Sequence, residues 1–447
     1  MKKLAIILLV LLATLMVAYY TYLKPNFLVV NGYAAKNLCS CVFVAGIDEK
    51  TVRQIDLGFS FIGLTNTHVN YATQSTTSNV WGLVPRKAVY RDGLGCVLVN
   101  ELPEEELREK TFEASIKPMD SLKNWFEDDT TAVITGEQSR QIEKIITSAF
   151  ENDPENTINT RGVVVLYKGK LIGEQYAPEV SKDTRLLGWS MTKSLTSTMA
   201  GLMIRDSLFR LNTQVPIPEW KNTDKESITY QDLLQMSSGL RFEEDYGSYS
   251  DANIMLWISD SMGEATISKP LEAAPGEKWY YSSGTTNLLM RLMRSYFSND
   301  DQYLDYLNQE LFNRIGAYSF LIEPDASGHF VGSSFGWATA RDWARVGQLY
   351  LNDGRWGGEQ ILPASWVSFV QQAPLDSEAL GRYGGQFWLQ ASHPELPKDT
   401  YYMGGFHGQR VFIIPSEQLV VVRLGVTYNG DFDFDDFVNR LIDVLEE

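Results

Sequence analysis

The chain opens with two lysines, Lys2 and Lys3, followed by twenty residues from Leu4 to Leu23 with no charge among them. Wound as a helix at 1.5 Å per residue, such a run is about 30 Å long, the thickness of a bilayer's hydrocarbon core. It closes on Tyr19, Tyr20 and Tyr22, and aromatic rings favour the membrane interface. The nearest small-residue pair that could serve as a cleavage exit, Ala34-Ala35, lies well beyond it. The run therefore reads as an uncleaved membrane anchor, with a cleaved signal peptide as the alternative. On either reading the bulk of the chain is exported, to the bacterial periplasm or the cell surface.

After this run, residues 26–123 mix short apolar stretches with turn residues and show no repeat. Gly95 to Val99 has strand character. From Gln138 the pattern sharpens. Ile142, Ile145, Ile146 and Phe150 recur at helical spacing. Gly162 to Tyr167 and Leu171 to Tyr176 flank a Lys-Gly-Lys turn and predict a β-hairpin. Met191, Leu195, Met199 and Leu202 form the buried stripe of a helix over residues 189–206, and another helix runs from Thr339 to Leu351. Strands are expected at 386–390, 409–414 and 419–424, with a last helix at about 433–445. Strands at both ends of a helical middle imply an α+β sheet assembled from distant segments. The expected division is an anchor or signal at 1–24, an N-terminal segment at 25–125 and a catalytic domain at 126–447.

Composition narrows the function. The 44% hydrophobic and 21% charged content is that of a folded globular chain rather than a disordered one. With 39 basic against 56 acidic residues the net charge is −17, which repels phosphate backbones, so nucleic acid is not an expected partner. Tracts such as Glu104-Glu105-Glu106 read as solvated faces. Four histidines and no paired C-x-x-C give no metal-ligand pattern, and neither a metal nor another cofactor is expected. The three cysteines, Cys39, Cys41 and Cys96, all fall in the first hundred residues. Export favours one disulfide with one thiol left over, and the sequence does not choose between Cys39 and Cys41 as the partner of Cys96; three buried thiols are the alternative.

Two serines compete as nucleophile. Ser190-Met191-Thr192-Lys193 is an S-x-x-K at the start of the buried helix. Positions three apart share a helix face, which sets the Lys193 amine beside the Ser190 hydroxyl. A desolvated lysine loses basicity until it is neutral enough to take the serine proton. Read more plainly, the same residues are an N-cap serine and an exposed lysine. Gly332-Ser333-Ser334-Phe335-Gly336 matches the G-x-S-x-G elbow, which needs a buried strand before Ser334 and a helix directly after. Neither flank is present, so Ser190 is preferred.

The chain here resembles a known family. Ser190-x-x-Lys193, Ile228 to Leu240 (ITYQDLLQMSSGL), Pro275-Gly276-Glu277 leading to Tyr281-Ser282-Ser283-Gly284, and Thr339 to Arg345 (TARDWAR) are similar, in order, to motifs of the penicillin-recognising serine hydrolases. That family includes class C β-lactamases, D-alanyl-D-alanine carboxypeptidases and related esterases, and the style here is nearest to the 6-aminohexanoate-dimer hydrolases. The resemblance covers roughly residues 161–422 and leaves the first 125 residues unexplained. It implies the β-lactamase/transpeptidase-like fold, an antiparallel sheet flanked by helices with an all-α region, here with an N-terminal extension.

The resemblance also implies roles. Ser190 would be acylated, Lys193 would accept its proton and Tyr281 would relay a proton to the leaving group. Ser283 stands where class C enzymes carry the asparagine of Tyr-x-Asn. The Lys/His-Thr-Gly motif aligns best with Phe406-His407-Gly408, so its cation is lost unless His407 replaces it. Gly408 would keep the backbone clear for substrate, and the Gln409 and Ser190 amides would form the oxyanion hole. Tyr246 and Asp251 would line the pocket. These departures favour a small-molecule amide or ester over a β-lactam, cleaved through an acyl-enzyme. A β-lactamase or carboxypeptidase remains the rival enzyme, and a non-catalytic peptide or penicillin sensor the rival of another class.

Overall fold

The structure, a computed structural model, describes residues 2–117, 133–152, 157–374, 382–428 and 432–447. The apolar N-terminal run forms helix α1 (Lys2–Ala18), and a π-turn over Tyr19–Leu23 carries it without a break into α2 (Lys24–Phe43). Side chains from Lys3 to Leu23 are almost all exposed, whereas every residue from Asn31 to Cys41 is buried. The helix thus continues twenty residues past the expected end of the anchor and becomes part of the protein core.

Four antiparallel strands wrap this buried half: β1 (Asn66–Asn70), β2 (Ser75–Val80), β3 (Leu83–Arg91) and β4 (Gly95–Leu98), in that order. Polar groups on α2 are satisfied from its surroundings. Asn31 donates to the carbonyls of Leu83 and Val84 at 3.2 and 2.8 Å. Cys39 is bridged to Cys96 of β4, closing a separation of 57 residues, and Cys41 is a buried free thiol. The open question of the cysteine pairing resolves to Cys39.

The N-terminal segment is locked to the rest by buried charge. Lys36 donates to Glu323 at 2.5 Å, and the same carboxylate accepts from Ser40, the Cys96 amide and the Trp337 indole. Arg161 makes two 2.7 Å bonds to Asp56. The boundary drawn near residue 125 lies outside the described residues.

Beyond α3 (Gly136–Ser148) the hairpin β5 (Thr160–Tyr167) and β6 (Lys170–Tyr176) joins a six-stranded sheet. A second small sheet holds β7 (Leu186–Leu187), β8 (Leu321–Ile322) and β9 (Gly336–Ala338). The helical middle contains α4 (Thr192–Arg205), α5 (Asp251–Trp257), α6 (Ser283–Arg294) and α7 (Ala340–Leu351). The C-terminal part supplies β10 (Trp388–Leu389), β11 (Tyr401–Gly405), β12 (Gln409–Ile414), β13 (Leu419–Gly425) and α8 (Phe434–Glu446).

The large sheet runs β10-β11-β12-β13-β5-β6, all antiparallel, so the hairpin pairs with the end of the chain across more than two hundred residues. Alternation along the strands sorts the two faces. Val163, Val165, Phe412, Ile414 and Val421 pack under α3 and α8, while Val164, Leu166, Val411, Ile413 and Val420 face the main core with α4 and α7. This is the expected α+β architecture, with the N-terminal extension packed into its core.

Candidate active site

The turn that leads into α4 is where the chemistry gathers. Trp189 has a left-handed φ of 47°, unusual for a bulky residue. It throws the 3₁₀ turn Trp189–Met191 off the small sheet so that Ser190 is partly exposed while Lys193 behind it is 1% exposed. The turn is clamped by the Gly332–Gly336 segment, since the Gly188 amide donates to the Gly336 carbonyl at 2.8 Å and the Gly336 amide to Thr192 Oγ1 at 2.9 Å. Strain held by surrounding structure is common at reacting residues.

Lys193 Nζ lies 3.1 Å from Ser190 Oγ, 2.9 Å from Ser283 Oγ and 3.0 Å from the Ser333 carbonyl. Burial pulls its pKa down from 10.5, partly opposed by the nearby Glu244 carboxylate, to a net value of about 8. Tyr281 hydrogen-bonds Ser190, and its ring centroid is 4.7 Å from Lys193 Nζ. Burial and the Glu244 charge raise its pKa well above that of a free phenol, opposed by the bond to Ser190, so Tyr281 is a neutral hydroxyl at rest. Its ring stacks on Trp388 at 5.4 Å and meets Tyr383 edge-on at 5.6 Å.

Ser283 opens α6 and is fully buried. Its amide donates to Glu244 at 2.7 Å and its hydroxyl bonds the same carboxylate. Glu244 also receives the Tyr246 hydroxyl, which stands 3.2 Å from Ser283 Oγ. Lys193, Ser283, Glu244 and Tyr246 therefore form one hydrogen-bonded chain behind Ser190. Glu244 was not singled out from the sequence; it has no motif of its own and reaches the site through the loop before α5.

Other expected positions fall elsewhere. Asp251 is the first residue of α5, pairs with Lys269 at 2.5 Å and accepts the Glu243 amide, away from Ser190. The strand whose end abuts the nucleophile turn is β11, which the sequence reading did not include. Gly405 there approaches so closely that an added Cβ would sit 2.1 Å from the Gly188 carbonyl. Phe406-His407-Gly408 is the turn that follows it. Phe406 is 45% exposed beside Ser190 and stacks on Tyr246 at 6.4 Å.

His407 is buried, bonds the Thr427 carbonyl through Nδ1 at 2.9 Å, and is held neutral by burial with a pKa near 4. It supplies no cation at neutral pH. Gly408 has φ of 77°, and its open side is filled by Arg423, whose Nη1 would lie 2.7 Å from a Cβ there, rather than left clear for substrate. Gln409 begins β12 opposite Gly405, with its side chain turned inward to the Gly425 carbonyl and amide.

Ser334 lines the same cleft as Ser190, but its hydroxyl pairs with Ser333 at 2.9 Å and a short strand, not a helix, directly follows it. The G-x-S-x-G segment serves instead as the wall that supplies the Ser333 carbonyl to Lys193. Among the described residues no group of three or more His, Cys, Asp or Glu could hold a metal ion. In front of Ser190 is a cleft of about 280 Å³. No Lys, Arg, His, Asp or Glu belongs to its lining among the described residues.

A serine, a lysine made less basic by burial and a buried tyrosine are groups suited to acyl transfer. Comparisons with known proteins agree. The chain is 24% identical to the 6-aminohexanoate-dimer hydrolase of Paenarthrobacter ureafaciens over 59% of its own length and 72% of that protein's. Its fold is similar to that of a family VIII carboxylesterase, with a TM-score of 0.55 and 16% identity over 70% of this chain and 98% of the other. It is also similar to a class C beta-lactamase solved with cefoxitin, with a TM-score of 0.50 and 14% identity over 69% and 98%. The sequence profile of the beta-lactamase family matches residues 147–443, and the chain belongs to that family of serine hydrolases.

Proposed function

We propose that this chain is an exported, membrane-anchored hydrolase that cleaves a small amide or ester through an acyl-enzyme on Ser190. The observation that carries the reading is the 3.1 Å contact between Ser190 Oγ and a lysine whose pKa is brought to about 8. Lys193 takes the serine proton as Oγ attacks the carbonyl carbon. Tyr281 passes a proton to the departing amine or alcohol, and water then releases the acid. The Ser190 amide and an amide from the strand end at Gly405 to Gln409 receive the oxyanion. Ser283 positions Lys193, and Tyr246 and Phe406 flank the acyl group.

Two features favour a neutral substrate over a β-lactam or a peptidoglycan stem. Ser283 replaces the asparagine of class C enzymes, and among the described residues the cleft lining holds no cation to pair with a substrate carboxylate. Retention of the anchor is supported by the continuity of α1 with α2. Cleavage at Ala34-Ala35 would remove Asn31, Gly32 and Tyr33 from the core.

Labelling with a fluorophosphonate probe tests the nucleophile, and Ser190→Ala is expected to abolish it. Steady-state assays on a short p-nitrophenyl ester, a linear amide and nitrocefin rank the substrates, with nitrocefin last. A lasting acyl adduct without turnover marks a sensor instead. Labelling that survives Ser190→Ala returns the nucleophile to Ser334. Intact-mass measurement of the protein from membranes reads whether residues 1–24 are retained.

A further inference from the structure

The walls of the cleft in front of Ser190 come from an unexpected place. One wall is the start of α2 and the turn before it, with Tyr22, Leu23, Phe27 and Val30 in the lining; the facing lip is the loop bearing Phe61 and Leu64. Tyr22 and Leu23 are also the last residues of the apolar run, and they stand 69% and 37% exposed. Phe61 and Leu64 are 72% and 51% exposed, a costly arrangement in water. At the inner end Tyr33, from the same helix, stacks on Trp189 at 6.0 Å, next to the nucleophile. From Tyr22 to Tyr33 the helix rises about 16 Å. One helix therefore runs from the bilayer surface to the reacting serine, and an apolar cleft runs beside it.

From this geometry we infer that the substrate is a membrane-borne amphiphile whose hydrocarbon chain lies in this cleft, with its ester or amide carbonyl at Ser190. The inference rests on the acyl-enzyme reading above and names its substrate class. The apolar lining accepts the chain, and the absence of charge in it leaves the polar head outside. The tyrosines at the end of the apolar run place the mouth at the headgroup level, where Phe61 and Leu64 are covered by lipid rather than water. Chemistry is unchanged: Ser190 Oγ bonds to the carbonyl carbon, the headgroup alcohol or amine leaves with a proton, and water releases the fatty acid.

The test uses the full chain reconstituted in phosphatidylcholine vesicles, with p-nitrophenyl acetate, butyrate, octanoate, laurate and palmitate as probes. Each methylene buried in the cleft contributes roughly threefold to fourfold in kcat/KM, so laurate is expected to exceed butyrate by at least a hundredfold. Palmitate is expected to be cleaved when it shares vesicles with the enzyme and to be cleaved far more slowly when supplied in separate vesicles. Phe61→Ser together with Leu64→Glu, both at exposed positions, is expected to lower the laurate-to-butyrate ratio at least tenfold. Asn26→Trp at the mouth is the second variant and is expected to shorten the longest chain accepted. Fluorophosphonate labelling separates the two readings. An enzyme that labels but shows a laurate-to-butyrate ratio near one, or a ratio that neither variant changes, overturns the inference alone. Equal palmitate rates from shared and separate vesicles overturn the membrane route. Failure to label overturns the acyl-enzyme reading, and the substrate assignment with it.

Discussion

If Lys193 takes the proton from Ser190, acylation must follow the fraction of Lys193 that is neutral. Burial lowers its pKa from 10.5 to about 8. A base acts only when deprotonated, so the rate rises as pH rises through that value and levels off above it. At pH 7 about one lysine in eleven is neutral, roughly three hundred times the fraction an ordinary lysine would offer. The rate of fluorophosphonate labelling reads acylation alone, free of deacylation and product release. It is expected to increase about tenfold from pH 7 to a plateau near pH 9.5, with a midpoint near 8. Glu244 supplies the sign test. Its carboxylate, two hydrogen bonds from Lys193 through Ser283, favours the charged amine. Glu244→Gln removes that charge and leaves burial unopposed, so the midpoint must move to lower pH. A profile flat between pH 6 and 10, or a midpoint that rises in Glu244→Gln, would refute Lys193 as the base.

Three further outcomes test how the site is held. Opening the Cys39–Cys96 bridge with Cys39→Ser releases a 57-residue loop in the unfolded chain, which is expected to cost about 4 kcal/mol in denaturant titration; no change would show that the bridge does not form. Lys36→Met leaves Glu323 charged and fully buried, so destabilisation of about 3–5 kcal/mol is expected, with part recovered in Lys36→Met/Glu323→Gln. Gly405→Ala sets a methyl group against the Gly188 carbonyl at the nucleophile turn. Labelling should fall at least tenfold while thermal unfolding moves by only a few degrees, and equal labelling would place the oxyanion donor elsewhere.

Periodicity made the catalytic unit readable. The hairpin at 160–176, the strands at 409–414 and 419–425 and the terminal helix all lie within two residues of their expected bounds. The central strands are apolar runs buried on both faces and bounded by turn residues, and the terminal helix carries an apolar stripe. Ser190 and Lys193 meet because positions three apart share a helix face, whereas Tyr281 is indicated only by resemblance to the family's tyrosine motif; its ring lies 4.7 Å from Lys193 Nζ. What could not be read depended on long-range packing. β11 (Tyr-Tyr-Met-Gly-Gly) has two glycines and no polar alternation, because both faces of this near-edge strand are covered. Glu244 belongs to no periodic element, and only the closure of its loop over α6 brings it to Ser283.

The end of the first helix was missed for a more general reason. Hydropathy falls at Lys24, and Asn26, Asn31, Lys36, Asn37 and Ser40 follow, so the apolar signal stops there although the helix does not. A lipid-embedded helix cannot carry those groups cheaply, yet a protein core can once each is paired. Asn31 finds the carbonyls of β3, Lys36 finds Glu323, and Ser40 finds the same carboxylate. These polar residues mark the point at which one exposed apolar helix passes into the protein core. Because Glu323 comes from the far side of the catalytic unit and Tyr33 lies against Trp189, the helix cannot slide without breaking a buried ion pair or uncovering the nucleophile turn. The position of Ser190 relative to the end of the apolar run is thereby fixed by the fold.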